Sequence, residues 1–179
     1  MIFLFATEIE AQHFRLASPH SQVVICGVGG AECGATTSAL IATMREQGKM
    51  QRVILAGIAG SYSLDEITLG EVVEVVEERI EALPPRFGRC YTTKGATSLR
   101  HVSSNTVNSS GGDGLQEPLS QIENMEGAHF AAICERSGVE YLQIRAISNR
   151  VDDPFEQWKL EEACEALSDA LCAIASEER

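Results

Sequence analysis

YLQIRAISN, residues 141–149, is an apolar run of strand length that closes on two small polar residues and an amide. A short run of this kind, with β-branched and aromatic side chains, fits a strand buried on both faces, as parallel sheets contain. In an open α/β sheet the residue just past the carboxyl end of such a strand commonly meets the ligand. Asn149 takes that place. A carboxylic acid there could supply a proton, whereas an amide supplies only hydrogen bonds.

Outward from this stretch, four more runs have strand length: IFLFA at 2–6, VVICGV at 23–28, VILAGI at 53–58 and EVVEVV at 71–76. Helical patterns separate several of them. Residues 31–47 are rich in Ala, Leu and Met and stop at Gly48; Met125, Ala128, Ala132 and Ile133 share a face that ends at Gly138. Leu160, Ala163, Cys164, Leu167, Leu171 and Ile174 repeat the pattern. Strands alternating with helices predict an α/β fold, a mostly parallel central sheet flanked by helices. Residues 82 to 120 differ, because PPRFGR at 84–89 and NSSGGDG at 108–114 are turn-rich and predict loops at the rim. SSGGDG reads equally as a flexible linker or as a plain surface loop.

A chain of 179 residues, 44% hydrophobic, fits one domain over residues 1–179. The opening MIFLFATEIEA lacks a basic start and meets Glu8 and Glu10 too early for a secretory segment, so it reads as a first strand. No apolar stretch approaches the roughly 20 residues of a membrane helix. The expectation is a soluble cytoplasmic protein without a membrane partner. Its 14 Lys and Arg against 26 Asp and Glu give a net charge of -12, which repels a phosphate backbone and argues against nucleic acid. EERIE at 77–81 and SEER at 176–179 read as solvated surface. Cys26, Cys33, Cys90, Cys134, Cys164 and Cys172 form no CxxC pair, and no Cys/His cluster has metal spacing. Most sit in apolar contexts, which predicts buried free thiols, a reducing compartment and no metal. His13, His20, His101 and His129 are scattered and receive no role.

Three strands end in small-residue turns: CGVGG at 26–30, AGIAGS at 56–61 and ISN at 147–149. Such turns let a ligand approach the backbone, which nominates Cys26, Gly27, Gly57 and Ser148 as substrate contacts. GVGG is not the dinucleotide fingerprint and no phosphate-loop lysine follows it, so no cofactor is expected. Glu8 and Glu10 share a face in extended chain and diverge in a helix, and either could cap a helix. Glu126, at a helix start, would favour the helix dipole whatever else it does. Glu10, Glu126 and Asn149 all fall at strand–helix junctions, where a parallel sheet collects its ligand.

ATEIEA at 6–11, CGVGG at 26–30, AGIAGSY at 56–62 with TLGEVV at 68–73, NMEGA at 124–128 and RAISN at 145–149 together resemble the purine nucleoside phosphorylase and nucleosidase superfamily. TVN at 106–108, LQIRAISNRV at 142–151 and Trp158 are most similar to its futalosine hydrolase branch; the methylthioadenosine/S-adenosylhomocysteine nucleosidase branch usually ends the RAIS block in Asp. The resemblance implies a three-layer fold with a mixed, mostly parallel sheet, somewhat truncated because only His13 to Val24 separate the first two blocks. It implies cleavage of a purine–ribose bond through an oxocarbenium-like transition state, with Glu10 as general base on water. Glu126 would accept hydrogen bonds from the ribose hydroxyls, Met125 would pack against the sugar, and Thr106 and Val107 would line the base through backbone groups. A homodimer or higher homo-oligomer is also implied.

In phosphorylases of the superfamily an arginine and a serine hold phosphate where this chain has Leu55 and Ile58. Burying a phosphate dianion there would lack charge-assisted donors, which favours water as nucleophile. A 6-oxopurine presents two acceptors, the ring nitrogen and the carbonyl oxygen, and Asn149 could offer both amide hydrogens to them. Hypoxanthine would then be the base released, from futalosine. Asn149 as an ordinary turn former is the alternative. Arg86, Arg89 and Arg150 are candidates by location for the carboxylated aromatic part of futalosine. A phosphorylase, a methylthioadenosine/S-adenosylhomocysteine nucleosidase and a non-catalytic nucleoside-binding protein remain as other readings.

Overall fold

Strands β3 (Val53–Ser61) and β8 (Tyr141–Arg150) run parallel at the centre of the molecule, paired from Val53↔Tyr141 to Ser61↔Arg150 with a register shift between Ala59 and Gly60. The computed structural model describes residues 1–109 and 118–177; most of the SSGGDG reading lies outside the described residues. Parallel to the other edge of β3 lies β1 (Ile2–Phe5), followed outward by β2 (Gln22–Ile25). The helices are α1 (Glu8–Ala17), α2 (Gly29–Glu46), α3 (Gly127–Ser137) and α4 (Leu160–Glu177).

Alternation along β1 and β3 builds the three layers. Phe3, Phe5, Ile54 and Ala56 face α1 and α4, where they pack with Phe14, Leu167 and Leu171. Ile2, Leu4, Val53 and Leu55 face α2 and α3, against Cys33, Ile41, Met44 and Phe130. The Phe3 and Phe14 rings lie 4.6 Å apart, and truncating a buried Phe of this kind costs about 3–5 kcal/mol. Helix α3 ends where Gly138 takes φ 65°, which favours the one residue without a Cβ.

The other half of the sheet was only partly foreseen. β4 (Val72–Arg79) pairs antiparallel with β8, and beyond it come β6 (Arg100–Thr106) and the short β5 (Tyr91–Thr92). β7 (Ile122–Asn124) lies between β6 and β3. The sheet is therefore mixed, and β3, β8, β4, β6 and β7 close into a ring instead of remaining open. Val73, Val75, Val102, Ile122 and Ile147 pack together from these strands.

Two sequence readings are corrected here. Residues 82 to 120 are not all rim loop, since β6 is a strand of the ring. Its sequence RHVSSNT has few apolar residues because Ser104, Asn105 and Thr106 are buried by hydrogen bonding instead of hydrophobicity. EERIE is not uniformly solvated either: Glu77 is exposed, whereas Glu78, next along β4, is 1% exposed. Among the described residues no helix is long and apolar enough to cross a membrane.

Candidate active site

A cavity of about 290 Å³ opens at the carboxyl ends of β1, β3, β6 and β8. Glu10, Glu123, Glu126, Ser148 and Asn149 bring polar groups to it, and Ile58, Val107, Trp158 and Leu160 are among its apolar walls. No Lys, Arg or His is among the described residues that line it.

Glu10 is placed by its own helix start. Thr7 is the N-cap of α1: Glu10 N–H donates to Thr7 Oγ1 at 3.3 Å, and Glu10 Oε2 accepts from Thr7 N at 2.9 Å and Thr7 Oγ1 at 2.8 Å. This reciprocal arrangement satisfies two helix-end donors and fixes the carboxylate. Its other oxygen, Oε1, accepts from Ile58 N at 3.0 Å across the sheet. Glu8, two residues earlier, points to solvent, which settles the choice between the two carboxylates. Burial pushes the Glu10 carboxyl above its ordinary pKa of 4.5, opposed by the Ile58 and Thr7 hydrogen bonds and by Arg145.

Gly57 does not line the cavity; it makes room beneath it. A Cβ at Gly57 would stand 2.7 Å from Glu10 Oε1 and 2.8 Å from Arg145 Nη1, so only glycine lets both come this close. Arg145 is 1% exposed, with Nη1 3.6 Å from Glu126 Oε2 and Nη2 donating to Asn124 Oδ1 at 3.1 Å. No role for it follows from the sequence motifs. A lone cation inside the run YLQIRAI was the available signal, because a buried charge requires partners.

Glu126 sits at the head of α3, and its Oε1 accepts from Gly29 N at 2.9 Å. Thus CGVGG reaches the site through Gly29 and through Val28, which lines the cavity. Cys26 and Gly27 do not line it. Cys26 is 2% exposed in the α2-side core, and the Cys33 thiol, with burial, holds it well above the usual thiol range. Gly27 adopts φ 83°, and a Cβ there would strike Glu32.

Thr106 and Val107 separate. Val107 lines the cavity, but its N–H donates to Asn124 O at 2.8 Å and is not available to a base. Thr106 faces the interior, donating to Glu78 Oε1 at 2.9 Å and accepting from Ala128 N at 2.7 Å. Met125 lines the cavity, as does Ser148, whose hydroxyl donates to Asn149 Oδ1 at 2.7 Å.

Asn149 is 3% exposed at the cavity wall, and its Nδ2 donates to Arg150 O at 2.8 Å. One of the two amide hydrogens is therefore committed to the chain, so the expectation that both serve a base is corrected to one. Leu55 lies in the α2-side core and not at the cavity, whereas Ile58 lines it. Arg86 lies over the Phe87 ring, Arg89 pairs with Glu135 at 2.6 Å, and Arg150 is exposed; none of the three lines the cavity. Instead Phe155 and Trp158, 5.2 Å apart, present aromatic surface to it, and Cys164 of α4 also faces it. Elsewhere α1 and α4 bring His13, Glu161 and Glu165 together with ligand atoms within 4.8 Å of one another, a grouping that sequence spacing could not reveal.

The fold is shared with solved nucleosidases. A futalosine hydrolase mutant of Helicobacter pylori strain 26695 superposes with TM-score 0.82 at 16% identity, covering 98% of this chain and 97% of that one. The 5'-methylthioadenosine/S-adenosylhomocysteine nucleosidase of Helicobacter pylori, bound to butyl-thio-DADMe-Immucillin-A, gives 0.79 at 15% identity with the same coverage. The 5'-methylthioadenosine nucleosidase of Arabidopsis thaliana gives 0.78 at 17%, covering 98% of this chain and 93% of that one. No curated protein matches. The family model described as the Phosphorylase superfamily matches residues 83–177, more than half of the chain, and the chain belongs to that superfamily.

Proposed function

We propose that this chain is a nucleosidase that hydrolyses the N-glycosidic bond of a 6-oxopurine nucleoside, futalosine, releasing hypoxanthine and dehypoxanthine futalosine. The observation that carries this reading is the charge of the cavity wall: three carboxylates face it and no described cation does. A phosphate dianion would meet like charge without charge-assisted donors, whereas a sugar developing positive charge meets the complementary field. Water is the nucleophile that such a wall accepts.

Glu10 takes the proton from water, with Oε2 held by Thr7 and Oε1 directed by Ile58 N. A general base must be ionised to act, and burial raises this one, so activity falls on the acid side of a pKa above 4.5. Glu126, fixed by Gly29 and Arg145, accepts from the ribose hydroxyls, and Met125 packs against the sugar. Asn149 gives its remaining amide hydrogen to the purine edge as the base departs with negative charge. Trp158 and Phe155 supply a face on which an aromatic ring can stack. The matching folds include a futalosine hydrolase and methylthioadenosine nucleosidases, which is compatible with this class of reaction. The site works as part of a homo-oligomer in the cytoplasm, without cofactor.

The test is a substrate panel on the purified protein. Release of hypoxanthine from futalosine with little release of adenine from methylthioadenosine is expected. Comparable adenine release would overturn the role given to Asn149, and tight binding without cleavage of any nucleoside would leave only a binding protein.

A further inference from the structure

Beneath the cavity, and not lining it, lies a further buried carboxyl that the proposed reaction does not use. Glu78 of β4 is 1% exposed. Its Oε1 accepts from Thr106 Oγ1 at 2.9 Å and its Oε2 from Asn124 Nδ2 at 2.9 Å. These two side chains in turn cap α3. Asn124 Oδ1 accepts from Glu126 N at 2.9 Å and Gly127 N at 2.6 Å, and Thr106 Oγ1 accepts from Ala128 N at 2.7 Å. Asn124 Oδ1 also accepts from Arg145, which pairs with Glu126. The three backbone N–H groups at the head of α3 are therefore capped by two side chains that Glu78 holds, with the Arg145–Glu126 pair beside them.

A second observation concerns Gln143. Its Oε1 is buried without a hydrogen-bond partner among the described residues. A Cβ on Gly127 would collide with both Glu78 Oε2 and Gln143 Oε1, so both acceptors face the buried space that Gly127 leaves open. Two oxygens brought together out of water repel unless a proton lies between them. Arg145 is also shared by Glu10, Glu78 and Glu126, one cation among three carboxyls.

We propose that Glu78 is a positioning residue, held as the neutral acid with its proton directed at Gln143 Oε1, and that through Thr106 and Asn124 it sets the placement of Glu126. The proposal rests on the reading of Glu126 as the ribose-binding carboxylate. Arg145, which also pairs with Glu126 at the head of α3, and Tyr141 of β8 are charged or titratable groups in its field; β6 and β7 present the neutral Ser104, Thr106 and Asn124. Burial, the largest influence, pushes the Glu78 carboxyl up to about 7, against the lowering effects of Thr106, Arg145, Asn124 and Ser104.

The test uses the full chain and the variants Glu78→Gln and Gln143→Met. Infrared titration of the wild type should show a protonated buried carboxyl band that fades as pH passes about 7. The band should be missing from Glu78→Gln and should fade at lower pH in Gln143→Met. With inosine and 2'-deoxyinosine as probes, Glu78→Gln should raise KM for inosine roughly tenfold, the scale of one lost hydrogen bond, with little change for the deoxynucleoside. An absent band, or a band that Gln143→Met leaves in place, overturns the shared proton. Equal effects of Glu78→Gln on both nucleosides overturn the positioning role. The infrared arm needs no substrate, so it decides the proton even if the wild type cleaves no nucleoside, a result that would count against the function and not against the proton.

Discussion

The two halves of the sheet are held together differently. β1, β3 and one face of β8 pack through Phe, Ile, Leu and Val against four helices, whereas β4, β6 and β7 carry buried Glu78, Ser104, Thr106 and Asn124 bonded to one another. Each half contributes a buried carboxyl, and the contrast between them is instructive. Glu10 borders the cavity with its oxygens pinned by backbone and Thr7; Glu78 is sealed beneath it. Burial raises both pKa values, but only the first borders the cavity. In the proposed reaction the apolar half supplies rigidity and the general base, and the polar half supplies the floor beneath Glu126.

That contrast breaks most sharply at Glu10. Glu10→Gln should lower kcat by roughly 10²- to 10⁴-fold, the usual worth of a positioned base, while nucleoside binding persists; stopped kinetics and equilibrium binding read the two separately. Leu55→Ala tests the apolar half alone. It should cost about 2–5 kcal/mol in denaturant unfolding, with specific activity of the folded protein unchanged, because Leu55 lies in the core away from the cavity.

Glu78 tests the polar half through pH. Its folded pKa of about 7 lies above the ordinary 4.5, so its contribution is fully present below 4.5 and is lost as pH rises through 7. The wild type should lose about 3 kcal/mol relative to Glu78→Gln between those limits, at 1.36 kcal/mol for each unit. Parallel stability curves for the two proteins would contradict this. Gly57→Ala should cost about 1–3 kcal/mol and lower kcat as well, since the new methyl displaces Glu10 and Arg145 together. The smallest effect belongs to Arg89→Ala. Its pair with Glu135 is at the surface, so stability should change by less than about 1 kcal/mol and kcat/KM not at all.

The same contrast governs what could be read from the chain. The apolar half announces itself, since IFLFA, VILAGI and YLQIRAI are runs that burial alone explains, and each became a strand. RHVSSNT and EERIE gave no such signal. Their buried members are satisfied by partners distant in sequence, Glu78 to Thr106 and Asn124, which no local periodicity encodes. At the site, Glu10, Met125, Glu126, Val107, Ser148 and Asn149 were nominated and come together around one cavity. Cys26, Gly27 and Gly57 stand out as small residues at strand ends and Thr106 through the family resemblance, but their side chains or Cα atoms lie under the wall or behind it. The spacing Thr7-x-x-Glu10 already encodes the helix start that fixes the Glu10 carboxylate. Arg145 was visible as an unexplained charge, and its partners were not.

The most direct test of the central claim is the initial rate of hypoxanthine release from futalosine by the wild type in phosphate-free buffer and again with phosphate added. Equal rates with a free sugar as product are expected of a cavity walled by Glu10, Glu123 and Glu126. A rate that depends on phosphate, with a sugar 1-phosphate as product, would contradict it.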